Sequence, residues 1–90
     1  MVNINPYYDE DIDEKTIIRT FKNVRTQDLV WHKDLQNRRV EVLEVGKWFF
    51  QFDNQMPFEM KKGDVIEIPK MEFHRIIFFR GDLKLKIIED

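Results

Sequence analysis

The sequence predicts an all-β fold, a barrel or sandwich of short antiparallel strands. Two observations carry this. From Lys15 onward, short runs of branched and aromatic residues alternate with turn signals, while no segment sustains the i, i+3, i+4 apolar repeat of a helix. Eight such runs fit within ninety residues, which is enough for one barrel core and too little for a second lobe.

Taken in order, residues 1–15 read as an acidic N-terminal arm. Asp9, Glu10, Asp11, Asp13 and Glu14 repel one another, which predicts a solvated segment that Tyr7 and Tyr8 can anchor on the barrel or on a second subunit. A single barrel domain is expected over 16–90. Its strands are Thr16 to Phe21, Leu29 to His32, Arg39 to Val45, Lys47 to Asp53, Pro57 to Met60, Val65 to Ile68, His74 to Phe78 and Leu83 to Ile88. Helix is limited to one turn over Arg25 to Asp28, where Thr26 can cap. Between strands, Gly46 is expected at positive φ, Asp53-Asn54-Gln55 bonds its own backbone, Lys62-Gly63-Asp64 reads as a tight hairpin, and Gly81-Asp82 closes another.

Alternation sorts the faces. Trp48, Phe50 and Phe52 share one side of their strand and Phe49, Gln51 and Asp53 the other, so neither side is freely solvated and the strand is expected to be central. Leu83, Leu85 and Ile87 oppose Lys84 and Lys86, a one-sided pattern that predicts a peripheral strand. Trp31, Phe73 and Phe78 are assigned with the other large aromatics to the core or to a subunit interface.

Composition excludes several classes of function. Fifteen basic and seventeen acidic side chains leave a formal charge of −2, so no field draws the chain to nucleic acid or to an anionic membrane. Cysteine is absent, which removes thiolate zinc sites and thiol nucleophiles and leaves imidazole, carboxylate and amide groups as ligands. The sequence "MVNINPYYDEDIDEK" has no apolar h-region, and a soluble cytoplasmic chain is the expectation. A homodimer is expected, since association would cover some of the aromatic surface.

The stretch "GDVIEIPKMEFH" resembles the second sequence motif of the cupins, with Gly63, Pro69 and His74 at matching positions and Met71 where that family has a second glycine. His32-Lys33-Asp34 looks like the start of the first cupin motif. Asp34 stands in place of its second histidine, Arg38 or Arg39 in place of its glutamate, and Gly46 fits its closing glycine. The resemblance covers residues 29 to 88 and implies a cupin-like double-stranded β-helix, a jelly-roll barrel around a pocket. The block from "LVWHKD" to "EFHRI" is also similar to small cupin-like proteins without a settled activity.

Under that resemblance His32 and Asp34 point the same way from one strand and His74 faces them from its neighbour. Two imidazoles and one carboxylate form the facial set of non-haem Fe(II) sites, and the same set suits Zn, Ni or Mn. Arg39, Gln51 and Arg75 are the expected pocket residues. A guanidinium there, from Arg38, Arg39 or Arg75, would instead repel a cation and pair with Asp34, forming a latch or an anion site.

Three readings follow from these residues. The first is a small binding module with an unidentified small-molecule ligand and a degenerate metal site at His32, Asp34 and His74. The second is a metal-dependent enzyme, dioxygenase-like or isomerase-like, and the third a metal-free structural or partner-binding protein. No Ser/His/Asp order or phosphate-binding glycine loop is present to suggest other chemistry.

Overall fold

The structure, a computed structural model, describes residues 7–22 and 31–90. Its strands in chain order are β1 (Tyr7–Asp11), β2 (Thr16–Phe21), β3 (Arg38–Phe52), β4 (Phe58–Glu59), β5 (Val65–Ile68) and β6 (His74–Glu89). All pair antiparallel in one sheet of order β1-β2-β6-β3-β4, with β5 also on β3. Among the described residues no helix is long and apolar enough to cross a membrane.

The organising element is the β3–β6 ribbon, paired from Arg38↔Glu89 to Phe52↔His74. A flat strand of fifteen residues would run about 50 Å, yet the molecule extends 30 Å along each principal axis. The ribbon therefore folds over. Its register slips between Val42 and Glu44 and again between Val45 and Trp48, and opposite these slips Gly81 takes φ +79°. A Cβ on Gly46 would collide with the carbonyl oxygen of Arg80 and sit 2.9 Å from Gly81 Cα. The buried Trp48 indole N–H donates to the Gly81 carbonyl at 3.0 Å, tying the bend to the core.

Several expectations change here. The runs Arg39 to Val45 and Lys47 to Asp53 are two halves of β3, and His74 to Phe78 and Leu83 to Ile88 are two halves of β6. Gly46 is therefore not at a reversal and its φ is not positive; it is required because two backbones touch. Gly81-Asp82 likewise bends β6 without reversing it. The strand bearing Leu83, Leu85 and Ile87 is central, between β2 and β3, and not peripheral. A wet face reports exposure perpendicular to the sheet, whereas position in the sheet is decided by bonds within its plane.

At Lys62-Gly63-Asp64 the turn forms, with Gly63 at φ +90° and Asp64 Oδ2 accepting from the Lys61 amide at 2.8 Å. It is not a hairpin, because β4 and β5 both run antiparallel to β3 along the edge opposite β6. Asp53-Asn54-Gln55 is a turn as expected, with Asn54 at φ +63°. The expected turn at Arg25 to Asp28, Thr26 included, lies outside the described residues, as do Leu29 and Val30.

The acidic arm is more ordered than its charge suggested. Residues 8–15 are exposed, but Tyr7–Asp11 pairs with β2 as an edge strand, whose charged side chains discourage further pairing. Inside, residues from β2, β3, β5 and β6 meet in one core that includes Phe21, Val42, Trp48, Phe50, Ile66 and Leu83. Trp31 and Phe73, assigned to core or interface, are 39% and 42% exposed in this chain.

The contact at the bend gives the first prediction. Gly46→Ala forces the β3 and β6 backbones apart and should cost about 2 kcal/mol, the scale of overpacking in a filled interior. Urea unfolding measures it; a change under about 0.5 kcal/mol would show that the bend is not tightly packed.

Candidate metal centre

Sequence places His32 just ahead of β3 and His74 at the start of β6, and the backbone joins them directly. The His32 amide donates to the His74 carbonyl at 3.0 Å and the His74 amide to the His32 carbonyl at 2.9 Å, an isolated antiparallel bridge that extends the sheet beyond β6. The segment between His32 and β3 is pinned as well. Met71 donates its amide to the Asp34 carbonyl at 2.7 Å, and the Asn37 side chain accepts from the Lys70 amide at 2.9 Å. Met71, which stands in the place of a motif glycine, takes φ +66°, the left-handed conformation that glycine favours.

These anchors converge three side chains. One ligand atom from each of His32, Asp34 and His74 lies within 4.8 Å of the others. The imidazole rings are 4.2 Å apart edge to face, and Phe50 stacks near-parallel to His74 at 5.6 Å. His74 is buried, Asp34 half-buried and His32 exposed, so the trio runs from the interior to the mouth.

The protonation pattern follows from the partners. His74 Nδ1 is 2.9 Å from the Glu72 carbonyl oxygen, which can only accept, so Nδ1 carries the proton and Nε2 presents a lone pair. Burial lowers the His74 pKa below its usual value. The Glu72 bond and the Asp34 charge oppose that fall, while His32 and Arg38 add to it. Asp34 Oδ1 is 3.2 Å from Arg38 Nη1. Its other oxygen, Oδ2, is buried without a hydrogen-bond partner and lies 3.5 Å from His74 Nε2.

Two lone-pair atoms facing each other with no proton between them, beside the second imidazole, His32, suit a divalent cation. Bonds of about 2.1 Å to two ligands span at most about 4.2 Å, so the widest separation closes by up to roughly half an ångström on binding.

Against the two histidines lies a cavity of about 50 Å³, open to solvent. Val40, Phe50, Ile68, Leu85 and Ile87 line it, with Arg19 and Arg38 at its polar end beside the two histidines. The three pocket residues expected from sequence are elsewhere. Arg39 is exposed on the outer face and pairs with Glu67 at 2.8 Å. Gln51 accepts from Arg75 Nε at 2.9 Å across the outer face of β3 and β6, and the Arg75 guanidinium sits 4.6 Å over Trp31. Strand parity explains all three: Val40, Phe50, Phe52, His74 and Ile76 point inward, so their odd-numbered neighbours point out.

Arg19 was missed. The signal was present in "TIIRTF", where it shares a face with Ile17 and Phe21, an inward charge in an apolar row. Burial would lower its pKa, but a two-point pair with Asp9, at 2.8 and 3.0 Å, outweighs that and raises it, with Tyr7 and Asp34 adding.

Solved structures share this arrangement of strands. An RmlC-like cupin with a double-stranded β-helix fold from Methanocaldococcus jannaschii matches 97% of this chain and 82% of its own at TM-score 0.69 and 14% identity. A cupin-2 domain protein from Shewanella frigidimarina matches 92% of this chain and 78% of its own at TM-score 0.66 and 21% identity. The fold is that of a small cupin. HppE in an Fe(II) structure with an alternative substrate matches 83% of this chain at TM-score 0.64 and 17% identity, and this chain spans 41% of it. HppE also has a Co(II) structure with substrate. No protein-family model and no curated protein matches the sequence. On the cupin fold, the His/Asp/His cluster is a candidate site for a divalent metal.

Burial of neutral His74 gives a pH prediction. Its folded pKa lies below its unfolded value of about 6.5, so the unfolded chain takes the proton first, and stability falls as pH drops through that value until the folded pKa is reached. His74→Asn keeps a donor for the Glu72 carbonyl and should flatten the dependence by up to about 1.4 kcal/mol per pH unit. Urea midpoints in chelator, at about pH 7.5 and about pH 5.5, test this; equal slopes in both proteins would contradict it.

Proposed function

We propose that this cupin-like protein is a small binding module holding one divalent metal ion through His32 Nε2 or Nδ1, Asp34 Oδ2 and His74 Nε2. The observation that carries the reading is the buried, unpartnered Asp34 Oδ2 set 3.5 Å from a lone-pair nitrogen. The chain's own groups prepare the site: Glu72 fixes the His74 tautomer, Arg38 holds the other Asp34 oxygen, and Phe50 fixes the ring plane. A bound ion would supply Lewis acidity at the cavity mouth. Exposed Trp31, Phe73 and Phe79 support the companion proposal of a homodimer.

One observation favours a second reading. Arg38 Nη1 already neutralises Asp34 Oδ1, so the same cluster can serve as a metal-free latch between the segment ahead of β3 and the barrel.

Titration of untagged protein with Co(II), Zn(II), Mn(II), Ni(II) and anaerobic Fe(II) separates the two. The metal reading predicts one ion per chain, a stabilisation of about 2.7 kcal/mol at a hundredfold excess over Kd, and loss of affinity by more than about a hundredfold in His74→Ala and Asp34→Asn. No stabilisation by any of these ions in the wild type, with Asp34→Asn merely lowering stability, would leave the latch.

A further inference from the structure

Two guanidiniums reach the cavity that His32 and His74 line, Arg19 from β2 and Arg38 from the start of β3. Neither is a solvated surface group, for only 16% and 18% of their side chains are exposed. Each holds a carboxylate that does not line the cavity. Asp9 takes Nε and Nη2 of Arg19, and Glu89 takes Nε of Arg38 at 3.2 Å while Asp34 takes its Nη1. The Arg19 guanidinium also lies 3.9 Å over the Tyr7 ring, and among the described residues the hydrogen bonds of the two arginines use Nε and Nη2 of Arg19 and Nε of Arg38. The rest of the wall is hydrocarbon, chiefly Val40, Phe50, Ile68, Ile76 and Leu85.

Charge and shape then select a ligand. Asp9 and Glu89 balance the two guanidiniums, and Asp34 halves the charge of a divalent ion, leaving a single net positive charge over an apolar pocket. One negative charge neutralises it; a second would be desolvated without a partner, and an ammonium would be repelled. An alcohol of the same size would gain the apolar contact and miss the charge-assisted bonds, which are about twice as strong as neutral ones.

The geometry points to a small monocarboxylate with a short aliphatic body as the ligand of this cavity. Its oxygens lie at the metal position and against the remaining Nη group of each arginine, and its tail lies against the β3 and β6 wall. The inference rests on the metal reading, since without the ion the same charges sum to a single negative charge that would repel a carboxylate.

The experiment titrates Co(II)-loaded and chelator-treated protein with pentanoate, pentan-1-ol and pentylamine, reading the cobalt spectrum and the melting temperature. The expected result is that pentanoate alone shifts both readouts of the loaded protein. Arg19→Met should keep the cobalt bands and lose at least about tenfold in pentanoate affinity, with partial recovery in Arg19→Lys. Pentan-1-ol acting as strongly as pentanoate on the wild type overturns the inference whether or not the variants fold, and so does undiminished pentanoate binding in Arg19→Met. If the wild type takes up no cobalt, the metal reading fails and this inference falls with it, whereas cobalt uptake with no response to pentanoate overturns this inference alone.

Discussion

The reciprocal hydrogen bonds between His32 and His74 are the constraint from which the candidate site is built. His74 is already the last ladder partner of Phe52 at the end of the β3–β6 ribbon. Through the bridge it also fixes a residue that sits outside every named strand. The two histidines are forty-two positions apart in the chain, yet their rings are brought to 4.2 Å by backbone geometry. The backbone bonds and the Asp34 carbonyl bond to Met71 hold the ligand atoms close before any ion arrives, so little ordering remains for binding to supply.

That arrangement needs the ribbon to fold over. The bend at Gly46 and Gly81 brings the two halves of β3 and β6 around a single core, and Trp48 locks it by giving its N–H to the Gly81 carbonyl. Because the halves close on each other, Val40 and Leu85 from one and Phe50 and Ile76 from the other line the same cavity. Arg19 and Arg38 are held at that cavity against the cost of burying charge because each finds a carboxylate, Asp9 on the edge strand and Glu89 at the end of β6. The acidic arm thus contributes through Asp9 and through Tyr7, which packs on Phe21 and under the Arg19 guanidinium, although most of it is exposed.

The sequence was legible where local pattern and tertiary structure agree. Alternation in "DLKLKII" assigned the inward residues of the second half of β6 correctly, in "KWFFQFD" it sorted the two faces of β3, and the spacing from Gly63 through Pro69 to His74 pointed to a cupin barrel. It was less legible where a glycine serves two purposes. Gly46 and Gly81 look like reversals from their type alone, and only the partner strand shows that they mark a bend in a continuous ladder. Among the site residues, Arg39, Gln51 and Arg75 were expected at the pocket although alternation already set Gln51 opposite Phe50; β3 keeps its even-numbered positions inward on both sides of the bend, whereas β6 changes from even to odd. Arg19 lies far from either motif, and only its inward phase gave it away.

The central claim is that the site is built by the backbone ahead of any ion. Amide hydrogen exchange at His32 and His74 in chelator-treated protein tests it most directly. If the claim holds, both amides exchange slowly without metal, His74 close to the slowest core amides and His32 within about a factor of a hundred of it. Fast exchange at His32, slowing only when a divalent ion is added, would mean that metal binding itself folds this segment onto β6, and the account of a prebuilt site would be wrong.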